Sequence, residues 1–177
     1  MIARTVGGVG TLIVLAVSCT PGDPVAESQT AVSIRTDEST YQLVPSEDSH
    51  RATVVVTIHH AGHSPVFLKR CRHEDVTPLH QVYRPADATP SRGLGRPWAC
   101  PGGEPLPITL RADESITDTV MLVANISGDI EVSDVTGEFV VRYGVYGSYD
   151  ATTGVFGQFD EDASESYVFR VAIDAGT

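Results

Sequence analysis

The chain has 177 residues, an apolar fraction of 41% and a formal net charge of -11. This length and apolar content suit one ordinary domain plus an export segment and exclude global disorder. The excess of acids, 23 against 12 bases, excludes general nucleic-acid binding, which needs a basic footprint for the phosphate backbone.

At the N-terminus Arg4 precedes the apolar run Val6 to Val17. The run is too short to span a bilayer as a helix and follows the pattern of a secretory signal peptide. It ends in Leu15-Ala16-Val17-Ser18-Cys19. This ending resembles the lipobox of bacterial lipoproteins, with small Ser18 before the cysteine and Ala16 where a leucine is more usual. The resemblance implies removal of residues 1–18, lipidation of Cys19, and a membrane attachment through the lipid. It also implies the outer membrane in a Gram-negative organism, because Thr20 stands where an aspartate goes with inner-membrane retention. A plain signal peptide cut after Ala16-Val17-Ser18 is the alternative. Residues 20–30 hold two prolines, a glycine and small polar residues without periodicity. They read as a tether with a reach of roughly 20 Å. The expected organisation is residues 1–18 as signal peptide, 19–30 as lipidated cysteine and tether, and 31–177 as one domain.

Within that domain the hydrophobic period is two. Val32 and Ile34 alternate with Ser33 and Arg35, and Tyr41 and Leu43 continue the pattern after a polar break. Residues 45–50 read as a polar turn. Ala52, Val54, Val56 and Ile58 then share one face of a long strand, with Thr53, Val55, Thr57 and His59 on the other, which suits a central position. Ala61 to Ser64 is turn material, and Pro65 opens Val66-Phe67-Leu68. Residues 78–84 and 107–110 read as short strands. They are separated by a stretch from Arg84 to Gly103 with four prolines and four glycines, which resists regular structure. A turn at Arg111 to Glu114 leads into Ser115 to Val123, where Ile116, Val120 and Leu122 share a face. Residues 125–134 read as a loop. Phe139, Val141, Tyr143 and Val145 form the next stripe, residues 147–166 a polar connection, and Tyr167, Phe169, Val171 and Ile173 the closing strand. There is no helical periodicity of useful length and no internal repeat.

Seven to nine short strands with turn-rich spacing predict an all-β fold, an antiparallel β-sandwich. The order resembles the small immunoglobulin-like domains of bacterial lipoproteins and secreted proteins. That resemblance is carried by the central strand running into Pro65-Val66-Phe67-Leu68 and Cys71, by Trp98-x-Cys100, by the turn at Leu110 to Ser115, and by Gly137 to Tyr143. It does not extend to the antibody disulfide, because Trp98 lies two residues before the second cysteine rather than between the two.

If Cys19 takes lipid, the remaining Cys71 and Cys100 are an even pair in an oxidising compartment and are expected to form a disulfide. The alternative of a metal or redox pair lacks any C-x-x-C spacing. Lys69, Arg70, Arg72, Arg84, Arg92 and Arg96 place half of the chain's bases in one window. The loop from Arg84 to Gly103 that they border is the candidate partner-binding site, through Tyr83, Arg84, Arg92, Arg96 and Trp98. Long loops on a rigid sandwich are frequent binding surfaces, and arginine beside aromatics is typical of interface anchors. The competing reading is a loop stapled down by the disulfide with Trp98 as its core. His59, His63 and His73 are weaker candidates for metal, since imidazole is a common ligand; a solvent-exposed strand end explains them as well. Asp150, Asp160, Glu161, Asp162 and Glu165 lack calcium-loop spacing. No nucleophile–base motif, phosphate loop or zinc-protease signature occurs. The expectation is a non-enzymatic, cofactor-free module anchored in the cell envelope that binds an envelope protein. The alternatives are a metal-binding protein and a protease-inhibitor-like module.

Overall fold

The computed structural model describes residues 32–71, 76–94, 100, 103–126, 129–160 and 164–174. Cys19, His73, Arg96, Trp98, Glu161 and Asp162 lie outside the described residues, as does the whole of the signal and tether region. The elements are β1 (Val32–Thr36), β2 (Thr40–Ser46), β3 (Ser49–His60), β4 (Val66–Arg70), β5 (His80–Tyr83), β6 (Leu106–Leu110), β7 (Ser115–Ala124), α1 (Val132–Val135), β8 (Gly137–Tyr143), β9 (Val145–Tyr146), β10 (Tyr149–Asp150), β11 (Val155–Phe156) and β12 (Phe169–Ile173).

The long strand β3 anchors the first sheet. It carries β7 along one edge and β1, with the end of β2, along the other. The start of β2 leaves this sheet and pairs with β12, from which the second sheet continues through β8 to β5. Only Gly144 separates β8 from β9, and across it the partner strand changes from β5 to β4. β4 and β5 therefore behave as one strand interrupted by an excursion, which the Leu79 N–H closes with a 2.6 Å hydrogen bond to the Lys69 carbonyl. β6 lies on the far side of β4. The inward faces of the two sheets form the core. Val54, Val56, Ile58, Val120 and Leu122 come from one side, and Leu68, Phe139, Val141, Phe169 and Val171 from the other. Each such side chain contributes about 1.5–3 kcal/mol on burial.

This is the expected all-β, immunoglobulin-like sandwich, with corrections of detail. Among the described residues there are twelve strands rather than seven to nine, because the expected strand through Phe139 to Val145 is broken at Gly144 and the polar connection 147–166 folds a small β10–β11 hairpin. The sandwich is not wholly antiparallel: β12 returns beside β2 in parallel, as a closing strand must when it fills the gap left by β2 crossing between sheets. The loop 125–134 ends in the one-turn helix α1, whose Glu131 and Asp134 form a reciprocal capping box. The turn at 45–50 is shorter than expected, since Pro45 and Ser46 extend β2 and Glu47 turns the chain with φ of 38°. Tyr167 is exposed, so the buried alternation of the last strand starts only at Phe169.

The cysteines pair as expected. Cys71 and Cys100 form a disulfide with Cα atoms 5.0 Å apart and a sequence separation of 29. Closing a loop of this length stabilises by about 3–4 kcal/mol in the chain-entropy account. It ties the β4–β5 excursion to the segment that precedes β6.

Asp37 knots the corner where β1 turns into β2. Its carboxylate accepts hydrogen bonds from the Tyr41 hydroxyl at 2.5 Å and the Val55 N–H at 3.0 Å. The Tyr41 bond, with the amide bonds behind it, holds the Asp37 carboxyl below its ordinary value. Burial, reinforced by Asp37, pushes the Tyr41 phenol up to about 12. A carboxyl depressed in the folded state stabilises above its unfolded pKa and loses that contribution as pH falls through the folded value. Tyr41→Phe is therefore expected to lower denaturant stability most at neutral pH. The deficit relative to the parent should shrink as pH falls below about 4, as read from unfolding midpoints across a pH series.

A candidate binding cleft at the seam of the two sheets

Each sheet has a free edge on the same side of the sandwich. β7 pairs only with β3, and β5 pairs only with β8, among the described residues. Between these edges lies a cleft of about 990 Å³, within the size range of sites for organic ligands. Leu79, Val82, Leu94 and Val120 line its floor, Met121 and Val123 its β7 rim, and Thr89, Ser91 and Arg92 its loop rim.

The loop rim is the described part of the Arg84-to-Gly103 stretch, and it is pinned. The Ser91 N–H donates to the Val82 carbonyl at 2.8 Å, covering part of the β5 edge. Leu94 is buried in the core. At Gly93 a Cβ would meet the Val135 side chain at 2.7 Å and the Asp134 carbonyl at 3.0 Å. Only glycine lets the loop lie this close against α1.

Of the five residues expected to bind a partner, the three that are described have different surroundings. Arg92 is exposed on the cleft rim. Tyr83 is buried; its hydroxyl donates to the Gln81 side chain at 2.7 Å, and the Arg142 guanidinium lies 3.9 Å from its ring centre. Arg84 is held by the Ser133 and Thr136 carbonyls and stacks 4.7 Å over Phe139. Tyr83 and Arg84 thus serve packing and do not line the cleft. Arg96 and Trp98 lie outside the described residues.

A buried polar cluster that the sequence reading missed stands behind the floor. Asp118 on β7 is 1% exposed. Its carboxylate accepts the Tyr143 hydroxyl at 3.0 Å and the Thr119 N–H at 2.8 Å. The His80 Nδ1 lies 2.9 Å from the same carboxylate, close enough for an ion pair but off the line of a well-directed hydrogen bond. His80 and Tyr143 face each other across the β5–β8 ladder, so Asp118 bridges the sheets. Burial, and then the charge and hydrogen bond of Asp118, drive the Tyr143 phenol far above its ordinary value. The signal was available: Asp118 falls in phase with Ile116, Val120 and Leu122. A carboxylate in an apolar stripe has to be paired.

Of the histidines proposed for metal, only His59 and His63 are among the described residues. His59 Nδ1 is 3.0 Å from the Ser115 hydroxyl, and His63 is exposed in the turn before β4. The neighbouring His60 is buried instead. It takes the Gly62 N–H on Nδ1 and lies 2.6 Å from the Ser64 carbonyl through Nε2, a pairing that places the proton on Nε2. Among the described residues no group of three or more histidine, cysteine or acidic side chains is placed to hold a metal. Asp150 accepts hydrogen bonds from Thr152 and Thr153, and Glu165 pairs with Arg142. Around Lys69 a separate aromatic cluster of Tyr146, Phe156, Phe159, Tyr149 and Phe67 holds the β10–β11 hairpin to the sheet.

No protein-family model matches the sequence, and no match is found among curated proteins. Among solved structures, the chain is similar to the CARDB domain of a Pyrococcus furiosus protein, solved in complex with di-metal ions. The two share 9% identity over 83% of this chain and 90% of that one, with a TM-score of 0.34.

Tyr143→Phe removes one donor to a buried carboxylate and is expected to cost about 1–3 kcal/mol of unfolding free energy. An unchanged unfolding midpoint in denaturant would show that Asp118 is satisfied without the phenol.

Proposed function

We propose that the protein is a lipid-anchored binding module of the cell envelope that takes its ligand in the cleft between β5 and β7. The observation that carries this reading is the cleft itself. It has an apolar floor, a pinned loop rim, and two exposed arginines, Arg51 and Arg92, at its margins. A preformed, mostly apolar concavity with a few polar groups is the usual form of a ligand site. The Ser91 hydrogen bond and the burial of Leu94 support the site by holding the Arg92 rim of the disulfide-closed loop in place. The lipobox-like ending at Cys19 supports the envelope location and the membrane attachment. The ligand is most simply an envelope protein, because the cleft is open along two strand edges.

A photo-reactive side chain placed at Met121 or Ser91 in the full-length protein is expected to capture a ligand in intact cells. The same group at Thr109, on the exposed face of β6, should capture none. Cys19→Ala is expected to release the protein from the membrane fraction and to abolish the Met121 adduct. Equal labelling from Thr109 and Met121 would overturn the cleft as the site, and an unchanged membrane fraction for Cys19→Ala would overturn the anchor.

A further inference from the structure

Resting on that reading of the cleft, we infer that its ligand is an extended peptide segment of alternating apolar and acidic residues, which adds as a strand to the free edge of β7. The direction of the β7 amides carries the inference. The Asp37 N–H donates to the Val55 carbonyl at 2.9 Å, so Val55 turns its backbone groups away from β7. Val55 and Thr119 are opposite each other in the β3–β7 ladder. They are therefore a pair without mutual hydrogen bonds, and Thr119 directs its N–H and C=O outwards. The Thr119 N–H accordingly reaches the Asp118 carboxylate at 2.8 Å. Alternation puts Thr117, Met121 and Val123 in the same outward set. None of these three has a ladder partner on that side among the described residues.

Such an edge is normally blocked by a charge, a proline or a bulge. The outward set of β7 has no charged residue and no proline, and its pairing with β3 runs without a bulge from His50↔Ala124 to His59↔Ser115; the inward carboxylate of Asp118 occupies the Thr119 N–H alone, which leaves Thr117, Met121 and Val123 for pairing. A strand added here sends alternate side chains to opposite faces. The inward ones enter the cleft at Val82, Leu94 and Val120. The outward ones lie beside Met121 and Val123, on the face shared by Arg51, which stands opposite Val123. Arg51 and Arg92 are the only residues of fixed charge among the described residues that line the cleft. In a chain of net charge -11, this is a local positive margin that selects acidic side chains. Backbone pairing supplies affinity, and the alternating pockets supply specificity.

The test uses the full-length protein, titrated with a short synthetic peptide alternating valine and glutamate and followed by residue-resolved amide hydrogen exchange. At saturation the amides of Thr117, Met121 and Val123 are expected to exchange at least about tenfold more slowly. Affinity should fall by about tenfold or more when lysine replaces glutamate, when alternate peptide amides are methylated, and in an Arg51→Glu/Arg92→Glu chain. Arg92→Glu alone, on an exposed loop, serves if the double variant misfolds. Equal binding of the lysine peptide, or slowed exchange elsewhere with Met121 unchanged, would overturn the inference. So would self-association that protects Met121 without peptide, which would assign the edge to a second copy. A Met121 photo-adduct in cells without peptide protection would leave the cleft reading standing and remove the strand inference alone. Absence of both would remove the two together.

Discussion

The hydrogen bond of Tyr143 to Asp118 joins the two sheets beside the cleft. β7 is an edge strand, and Asp118 sits on its inward face where every other even-numbered neighbour is apolar. A carboxylate there is costly to desolvate unless donors meet it. Tyr143, the Thr119 amide and the nearby imidazole of His80 meet it from three directions. Two of those groups belong to the opposite sheet. The cluster therefore fixes how far β5 and β8 stand from β7, and that separation is the width of the cleft.

The rest of the site follows from this spacing. β5 is short because the excursion carrying Cys71 interrupts its strand, and its free edge is partly taken by the loop through Ser91. β7 is long and nothing among the described residues covers it. The loop can approach so closely because residue 93 is glycine. It stays there because Leu94 is buried and Arg84, just before it, grips the carbonyls around α1. The loop is thus both stapled and exposed. Its root is structure, and its rim, at Arg92, faces solvent. Tyr83 and Arg84, two of the residues that look from composition like interface anchors, serve the root.

Much of the architecture was legible in the sequence because burial on one face imposes a period of two that few other arrangements reproduce. The strands from Ser49 to His60, Ser115 to Ala124 and Gly137 to Tyr143 are written this way, and the disulfide followed from counting cysteines. The interruptions were not legible. Gly144 and the excursion after Arg70 change partners without disturbing the alternation, so one strand reads as two or two as one. The parallel return of β12 beside β2 was also invisible, since side-chain alternation carries no information on strand direction.

The sequence by itself determined the class of the domain, the pairing of Cys71 with Cys100 and the basic character of the segment around Arg84 and Arg92. These depend on local periodicity, on counting and on composition. The tertiary structure alone decided which of those residues face solvent, that Asp118 is tied to the other sheet, and that two strand edges border one cleft. Those facts depend on contacts between residues far apart in the chain. His80 and Tyr143 are 63 positions apart in the numbering, yet they are direct neighbours across a ladder. No local pattern encodes such a pairing; it appears only once both sheets have closed on the same core.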